Sequence, residues 1–445
     1  MEFGFTLTIL ATIAAVAVGL FNPIFALMVY YAFSILRPQQ LWFWITNWPI
    51  ERLSFCIALV TIIGWAGKSF GNLAGLRAIW LPLLGLGVYL LSGAIAMQIS
   101  FVSQERAWDA LLLQLKIGLM AWITVTLIKN EKHLHIFAYL IAGTLGYLAW
   151  VFNSAYYFDG WNRIWPIGFG GVDNNGIAMI MVMGIPVAFF LAVNTTKWWI
   201  KVALFLAVAC EVHAVLFSFS RSAQLGLVIV TATIFVIALA RLPRKGLTVA
   251  IAVVFVALGL RLAGTEVRDR FNSIFNDAAD RDVSAASRFA TWSAAWGCMK
   301  DHPLGVGPRN FNLISDQYGL VRNKSVHSLF LQTGADYGIL GMVGLATFYF
   351  VTMFKTFKMA SSDTARRLVW PRYYGHMVCV SLGGFLVCSI FIGMESIESG
   401  YIISLLGLCT VMHVDRIAQR KPMGEAAIPE LEQVPVPDKG KPMSV

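Results

Sequence analysis

Four residues in this apolar chain are of types that bind anions or move protons, and membrane packing does not require them. They are Arg163, Arg221, Arg288 and His327. Arginine presents a planar fork of donors that binds two phosphate oxygens at once. Histidine titrates near neutral pH and can take a proton from a hydroxyl group. Such a set suits a reaction in which a phosphate-containing group leaves while a hydroxyl attacks.

Each of these residues also has a structural interpretation when it is taken alone. An arginine at a membrane boundary often anchors the chain to lipid phosphate. A histidine there often packs at the interface and forms a hydrogen bond with a carbonyl group. Arg163 and Arg221 together favour the functional interpretation, because both lie in loops on the side where basic residues are scarce.

The composition excludes a soluble protein. The chain has 445 residues, of which 58% are hydrophobic and 13% charged, whereas soluble domains carry roughly 25% charged residues. The mean hydropathy of +0.69 shows that the whole chain is strongly apolar. We therefore expect an all-α polytopic membrane protein.

Apolar runs between charged or Pro/Gly breaks predict twelve or thirteen membrane-spanning helices. The candidate spans are residues 3–20, 23–36, 53–67, 78–101, 107–128, 133–152, 176–194, 199–217, 222–240, 246–263, 327–354, 373–392 and 401–414. The first two are short and are separated by Asn22-Pro23. They are either two tilted spans or a hairpin that does not fully cross.

Lys and Arg are concentrated in alternate short loops, which the positive-inside rule places in the cytoplasm. Most of the net charge of +10 (34 basic minus 24 acidic residues) follows from this topology, and nucleic acid is not an expected partner. The prediction divides the chain into N-terminal spans (1–150), central spans (151–263), a long extracytoplasmic loop (264–326), C-terminal spans (327–415) and a disordered cytoplasmic tail (416–445).

The second half of the long loop has apolar residues at helical spacing. They are Phe289, Trp292, Ala295, Trp296 and Met299. This spacing predicts an amphipathic helix that lies on the membrane and ends at Pro303 and a Gly-rich turn. Arg288 would lie near its start.

Other polar features are weaker signals. Asp280-Arg281-Asp282 has the D-x-D form of some metal sites, but in a charge-rich loop this pattern is most often coincidental. No phosphate-binding G-x-x-x-x-G-K-[ST] loop occurs, so ATP-driven transport is not expected. Five ionisable residues fall inside predicted spans, where pairing, a polar pocket floor or a proton relay could explain them: Lys116, Glu211, His213, Asp336 and His376.

In motif order and spacing from about residue 160 to 345, the sequence resembles the O-antigen ligase and polymerase family of bacterial membrane proteins. The matching motifs are Arg163 followed by Asp173-Asn174-Asn175-Gly176, Ser218-Phe219-Ser220-Arg221-Ser222, Arg288 with Trp292, His302-Pro303-Leu304-Gly305-Val306-Gly307, and His327-Ser328-Leu329-Phe330-Leu331-Gln332 running to Tyr337-Gly338-Ile339-Leu340-Gly341. One departure is Ser328, where the family often has Asn.

The resemblance implies a GT-C-like membrane glycosyltransferase of the bacterial inner membrane. It would act at the periplasmic face on an undecaprenyl-pyrophosphate-linked glycan, without nucleotide sugar, metal or other cofactor. His327 would activate the acceptor hydroxyl, and Arg163 and Arg221 would hold the pyrophosphate. Arg288 would contact phosphate or acceptor, with Arg309 as a weaker candidate and Asn174 as a further binding residue.

The sequence leaves the acceptor and the reaction class open. Lipid A-core is the leading acceptor, and a polysaccharide polymerase or a protein O-oligosaccharyltransferase would use the same chemistry. A lipid-linked glycan flippase or secondary transporter would also fit the span count. That class would place its functional residues at mid-membrane, on Lys116, Glu211 and Asp336.

Overall fold

A computed structural model describes residues 2–42, 51–68, 70–71, 73–241, 278–393 and 397–419. The structure is 81% helical, and no strand occurs in these ranges. Eight of the described helices are long and apolar enough to cross a membrane. The predicted all-α polytopic membrane fold is therefore confirmed. The predicted span 246–263 and most of the tail lie outside the described residues.

The described helices follow the predicted spans closely. They are α1 (Glu2–Gly19), α2 (Pro23–Leu36), α3 (Pro38–Leu41), α4 (Glu51–Gly67), α5 (Leu76–Gln98), α6 (Gln104–Leu127), α7 (Glu131–Phe158), α8 (Asn174–Asn194), α9 (Trp198–Phe217), α10 (Arg221–Arg241), α11 (Ala278–Asp301), α12 (Leu329–Ala360), α13 (Asp363–Leu368), α14 (Trp370–Ser389) and α15 (Glu398–Gln419), with a 3-10 helix at Phe311–Tyr318.

The first two helices form a tight hairpin. Asn22 caps α2 through a hydrogen bond from the backbone N–H of Phe25, and Pro23 occupies the first turn of α2, where a missing N–H costs nothing. Gly64, in the last turn of α4, approaches the backbone oxygen of Gly19 so closely that a Cβ would lie 2.4 Å from it. The hairpin turn therefore lies level with the end of α4.

Small residues let α5 and α12 pack along their backbones, and this is the most extensive helix pair among the described residues. A Cβ on Gly85 would lie 2.7 Å from the carbonyl oxygen of Gly344, and the reverse distance is the same. Tyr89 stacks on Tyr337 at a ring distance of 4.7 Å. Close backbone approach of this kind is a common way for helices to associate in lipid.

One feature of α12 was not predicted by the span 327–354: the helix is broken at Gly338. This residue has φ 81° and ψ 172°, a conformation that only glycine adopts readily. The turn at residues 303–307 inserts into the break. Its backbone forms hydrogen bonds from Val306 N to Ala335 O, from Gly307 N to Asp336 O, and from Ile339 N to Pro303 O, each of 3.0–3.1 Å.

The loops that carry the polar motifs meet at one end of the bundle. The side-chain amide of Asn174 donates to the backbone oxygen of Ser218, which joins the loop before α8 to the turn before α10. The hydroxyl of Ser100 donates to the backbone oxygen of Val306, which joins the end of α5 to the segment after α11. Segments distant in sequence are thus brought to a common surface.

Candidate functional site

His327 lies just before α12 in a strained backbone conformation. Its φ of 53° is in the left-handed region, which costs a non-glycine residue about 1–2 kcal/mol. The side chain is half-buried. Burial lowers the pKa of the imidazole; Lys324 and Arg288 lower it further, and Asp173 opposes them. The ring is therefore neutral at pH 7 and can accept a proton.

A buried hydrogen-bond network holds the backbone around His327. The side-chain oxygen of Gln332 accepts from Val326 N at 3.0 Å, and its amide nitrogen donates to Asp336 at 2.7 Å. The other carboxylate oxygen of Asp336 accepts from Phe311 N at 2.8 Å. Asp336, which the sequence analysis placed among the intramembrane charges, thus fixes the segment that leads into His327.

Arg288 and Arg221 lie close enough for their charges to repel each other. Burial lowers the pKa of Arg288, and the charge of Arg221 lowers it further. Neither guanidinium forms a hydrogen bond or salt bridge with another described residue; Arg288 packs over the ring of Phe391 at 5.2 Å. Thr291, on the same helix, donates to Val326 O at 3.0 Å and links Arg288 to the His327 segment. Two neighbouring cations of this kind can bind an anion.

Helix α11 begins ten residues before Arg288, so this arginine is not near its start as predicted. The predicted apolar set also divides between two faces. Ala295 and Met299 are buried, whereas the side chains of Phe289 and Trp296 are 65% and 52% exposed. One apolar face of α11 packs against α12 and the 3-10 helix. The spacing of apolar residues in the sequence does not tell whether such a face contacts protein or membrane.

Arg221 is presented by the turn between α9 and α10. Phe219 in this turn has φ 55°, again in the left-handed region. The hydroxyl of Ser220 donates to the side-chain oxygen of Asn175 at 2.7 Å, and Asn174 binds Ser218 O. The two motifs that contain these residues therefore brace each other. In this structure Asn174 positions the turn that carries Arg221.

Arg163 contacts α3 and aromatic rings of its own loop. Its Nη2 donates to the backbone oxygens of Gln40 and Leu41 at 3.1 and 3.0 Å, and its guanidinium packs over the rings of Trp161 and Phe169. It lines an apolar groove between the α1–α2 hairpin and α7. In this arrangement Arg163 secures α3 against the loop before α8.

A polar cavity of about 630 Å³ adjoins the His327 segment. Three arginines line it, namely Arg37, Arg106 and Arg309, together with the carboxylates Asp336 and Glu398. Its other polar lining residues are Ser34, Gln39, Ser54, Asn312, Ser325 and Gln332.

The sequence motifs did not include Arg37, which follows α2 and donates to the backbone oxygen of Gly170. Its position in the sequence could have indicated it as a candidate, because it lies between a predicted span and Pro38 on the side of the membrane that has few basic residues. Among the described residues, no group of three His, Cys, Asp or Glu side chains could hold a metal ion. The side chains of Asp280 and Asp282 lie outside that set.

Comparison with known proteins points to one family. A family model described as O-antigen ligase matches residues 202–346, which is about a third of the chain. The match contains Arg221, Arg288, Arg309 and His327 and leaves out Arg163. It supports the assignment to the O-antigen ligase and polymerase family. A search of curated proteins found no match.

Proposed function

We propose that this chain is an O-antigen ligase-like glycosyltransferase of the bacterial inner membrane. It transfers a glycan from undecaprenyl pyrophosphate to an acceptor hydroxyl, foremost one on lipid A-core, at the periplasmic face. The family match supports a membrane glycosyltransferase in general terms. The donor, the acceptor and the mechanism go beyond that match, and the arrangement of the site residues supports the mechanism and a pyrophosphate donor.

The observation that carries this proposal is the pair Arg221 and Arg288. Two guanidinium groups that lie close together, with no carboxylate of the described residues hydrogen-bonded to either, are costly unless an anion binds between them. A pyrophosphate gains negative charge as it leaves the anomeric carbon, and fixed donors stabilise that charge most where it develops. Arg221 and Arg288 would therefore stabilise the leaving pyrophosphate.

His327 supplies the complementary half of the reaction. Its neutral imidazole takes the proton of the acceptor hydroxyl as the oxygen attacks the anomeric carbon. The bond from that carbon to the pyrophosphate oxygen breaks, and its electron pair leaves with undecaprenyl pyrophosphate. Attack opposite the leaving group inverts the anomeric configuration. The proposed reaction requires neither nucleotide sugar nor metal.

Two residues take supporting roles in this proposal. Arg163 and Asn174 hold the loops beside the site, because their side chains are bonded to backbone oxygens. Arg309 lines the neighbouring cavity. A polysaccharide polymerase and a protein O-oligosaccharyltransferase would place different acceptors in front of the same His327.

The three charged residues that the transporter alternative would use lie on different helices, and of the three Glu211 has a buried carboxylate with no hydrogen-bond partner among the described residues. Lys116 is exposed on α6, and Glu211 is buried on α9 against Gly184. Asp336 is held by Gln332 and Phe311. The three helices that carry these charges do not pack extensively on one another.

The test is transfer by purified protein in vesicles. The donor is an undecaprenyl-pyrophosphate glycan, and the acceptors are lipid A-core, a pilin-like protein, or none. We expect transfer to lipid A-core, with loss of about 10²–10⁴-fold in rate for His327→Ala, the range for a general base. His302→Ala is the matched control, since this histidine lies on the same side and its ring contacts that of Phe101 at a centroid distance of 5.0 Å.

A second variant addresses the leaving-group site. Arg221→Ala should weaken donor binding and lower the transfer rate, whereas Arg322→Ala, at an exposed arginine of the same surface, should do neither. Full transfer by His327→Ala would remove the general-base role. Unchanged donor binding and turnover in Arg221→Ala would remove the pyrophosphate site.

A further inference from the structure

A second cavity, of about 160 Å³, lies at the end of the helix bundle opposite to the candidate site. Helices α8 and α10 begin beside that site, at Asn174 and Arg221, and their last turns reach the other end. These two helices and α14 pack on one another. The cavity lies where the last turns of α8 and α10 meet α13 and the start of α14. The positive-inside rule places this end of the bundle in the cytoplasm.

Basic side chains line one part of this cavity, and apolar side chains line much of the rest. Arg366 belongs to α13, whereas Arg372 and His376 lie four residues apart on α14 and therefore on one face of that helix. The apolar part includes Phe189 of α8 and Ile237 of α10. Among the described residues, no acidic side chain lines the cavity. Two separate helices thus contribute a positively charged wall.

The three basic side chains differ in how far the protein itself satisfies them. Arg366 pairs with Asp363 at 3.8 Å, but both side chains are largely exposed, and such a pair contributes little. The half-buried Arg372 donates through its backbone N–H to Val369, and within the described chain its guanidinium has no hydrogen bond or salt bridge. Nε2 of His376 is buried and has no hydrogen-bond partner there. A buried polar atom without a partner is costly, so Arg372 and His376 retain hydrogen-bonding capacity for a ligand.

The size and surroundings of the cavity fit a phosphate group that belongs to a lipid. A water molecule occupies roughly 30 Å³ of liquid, so a space of about 160 Å³ admits a phosphate-sized group and is too small for acyl chains. The chains would lie outside it, along α10, where Val228 and Val236 are 62% and 64% exposed. Basic pockets between membrane helices on the cytoplasmic side are typical sites for phosphate headgroups.

We propose that this cavity binds the headgroup phosphate of an anionic glycerophospholipid from the cytoplasmic leaflet. The guanidinium of Arg372 would bind the phosphate oxygens through paired, charge-assisted hydrogen bonds, and Nε2 of His376 would bind one of them. A zwitterionic headgroup suits this wall less well, because its ammonium group would meet arginines and no carboxylate among the described lining residues. Side chains of α13 and α14 converge on one cavity, which an arginine that only reaches bulk lipid phosphate does not require. The inference does not depend on the glycosyl transfer proposed above.

The experiment measures lipid binding by the purified full chain in non-ionic detergent. The probes are a short-chain phosphatidylglycerol, a phosphatidylcholine with the same acyl chains, and glycerol 1-phosphate, which has the phosphate without the chains. Native mass spectrometry counts the bound lipid across a concentration series and gives the Kd. The test variants are Arg372→Gln, Arg372→Lys and Arg366→Gln. Arg367→Gln is the matched control, because Arg367 is an exposed arginine beside Arg366 that does not line the cavity.

We expect phosphatidylglycerol to bind the wild-type protein more tightly than phosphatidylcholine does. Arg372→Gln should raise the Kd of phosphatidylglycerol about tenfold, which corresponds to the loss of one charge-assisted interaction of about 1.4 kcal/mol. Arg372→Lys should recover part of that affinity, since lysine keeps the charge without the planar fork. Arg366→Gln should raise the Kd by a smaller factor, and Arg367→Gln should bind lipid as the wild type does.

Three results would overturn the proposal. Equal Kd values for the two lipids, or an equal loss in Arg372→Gln and Arg367→Gln, would leave only a general attraction of anionic lipid to a basic surface. Displacement of phosphatidylglycerol by glycerol 1-phosphate at equal concentration would mean that the cavity takes a soluble phosphate and not a lipid. If Arg372→Gln fails to fold, the exposed Arg366 decides the test: a Kd in Arg366→Gln equal to that in Arg367→Gln would also refute the site.

Discussion

Gly338→Ala should destabilise the protein strongly, because Gly338 is where the chain of α12 breaks. Its φ of 81° and ψ of 172° are open essentially to glycine alone. A Cβ would lie 2.5 Å from the carbonyl carbon of Leu304 and 2.6 Å from the oxygen of Pro303. Both neighbours are backbone atoms, so the clash cannot be relieved by rotating a side chain. The inserted turn at 303–307 would have to move.

The magnitude follows from the backbone conformation and the hydrogen bonds that hold this turn. The strained conformation costs about 1–3 kcal/mol for a residue other than glycine. Displacing the turn would break three backbone hydrogen bonds, at roughly 0.5–1.5 kcal/mol each. The total is about 2.5–7.5 kcal/mol of folding free energy. This is large for one methyl group.

The assay is thermal unfolding in detergent, followed by tryptophan fluorescence, with variants compared at one heating rate. The control is Gly383→Ala in α14, where a Cβ would meet no atom within 4 Å. We expect the control to unfold at or slightly above the wild-type temperature, since alanine favours helix by about 1 kcal/mol over glycine. Gly338→Ala should unfold several degrees lower. If both variants unfolded alike, the docking of residues 303–307 into the break would be wrong.

The remaining predictions concern the site. Transfer activity should fall on acidification through a pKa below the usual value of roughly 6.5 for histidine, because protonated His327 cannot act as a base. Lys324→Gln removes a positive charge near His327 and should move the fall in activity at acidic pH to higher pH. An unshifted pH profile of kcat/KM would contradict the assignment of His327 as the base. Gln332→Leu leaves the buried N–H of Val326 and one oxygen of Asp336 without their partner and should cost roughly 2–5 kcal/mol, measured by the same unfolding assay. Transfer should persist in excess EDTA, and loss that is restored by a divalent cation would show that a metal is required.

Much of the fold could be predicted from hydropathy, because lipid requires long apolar helices and leaves few alternatives. Twelve of the thirteen candidate spans coincide with described helices. The break at Gly338 was not predictable from hydropathy, because it lies within an apolar run. The division of α11 into two apolar faces was not predictable either, since its buried face depends on α12.

The sequence by itself determined the residue types of the site. Arginine and histidine next to apolar spans restrict the chemistry to anion binding and proton transfer, whatever the fold. Only the tertiary structure decided how these residues are grouped. It joins Arg221, Arg288 and His327 through loops far apart in sequence, ties Arg163 to backbone oxygens, and places Arg37 at the wall of the cavity. The physical reason is that the residue type sets the ordinary charge and pKa of a side chain. Burial, neighbouring charges and hydrogen-bond partners, which shift that pKa, arise only when distant segments pack together.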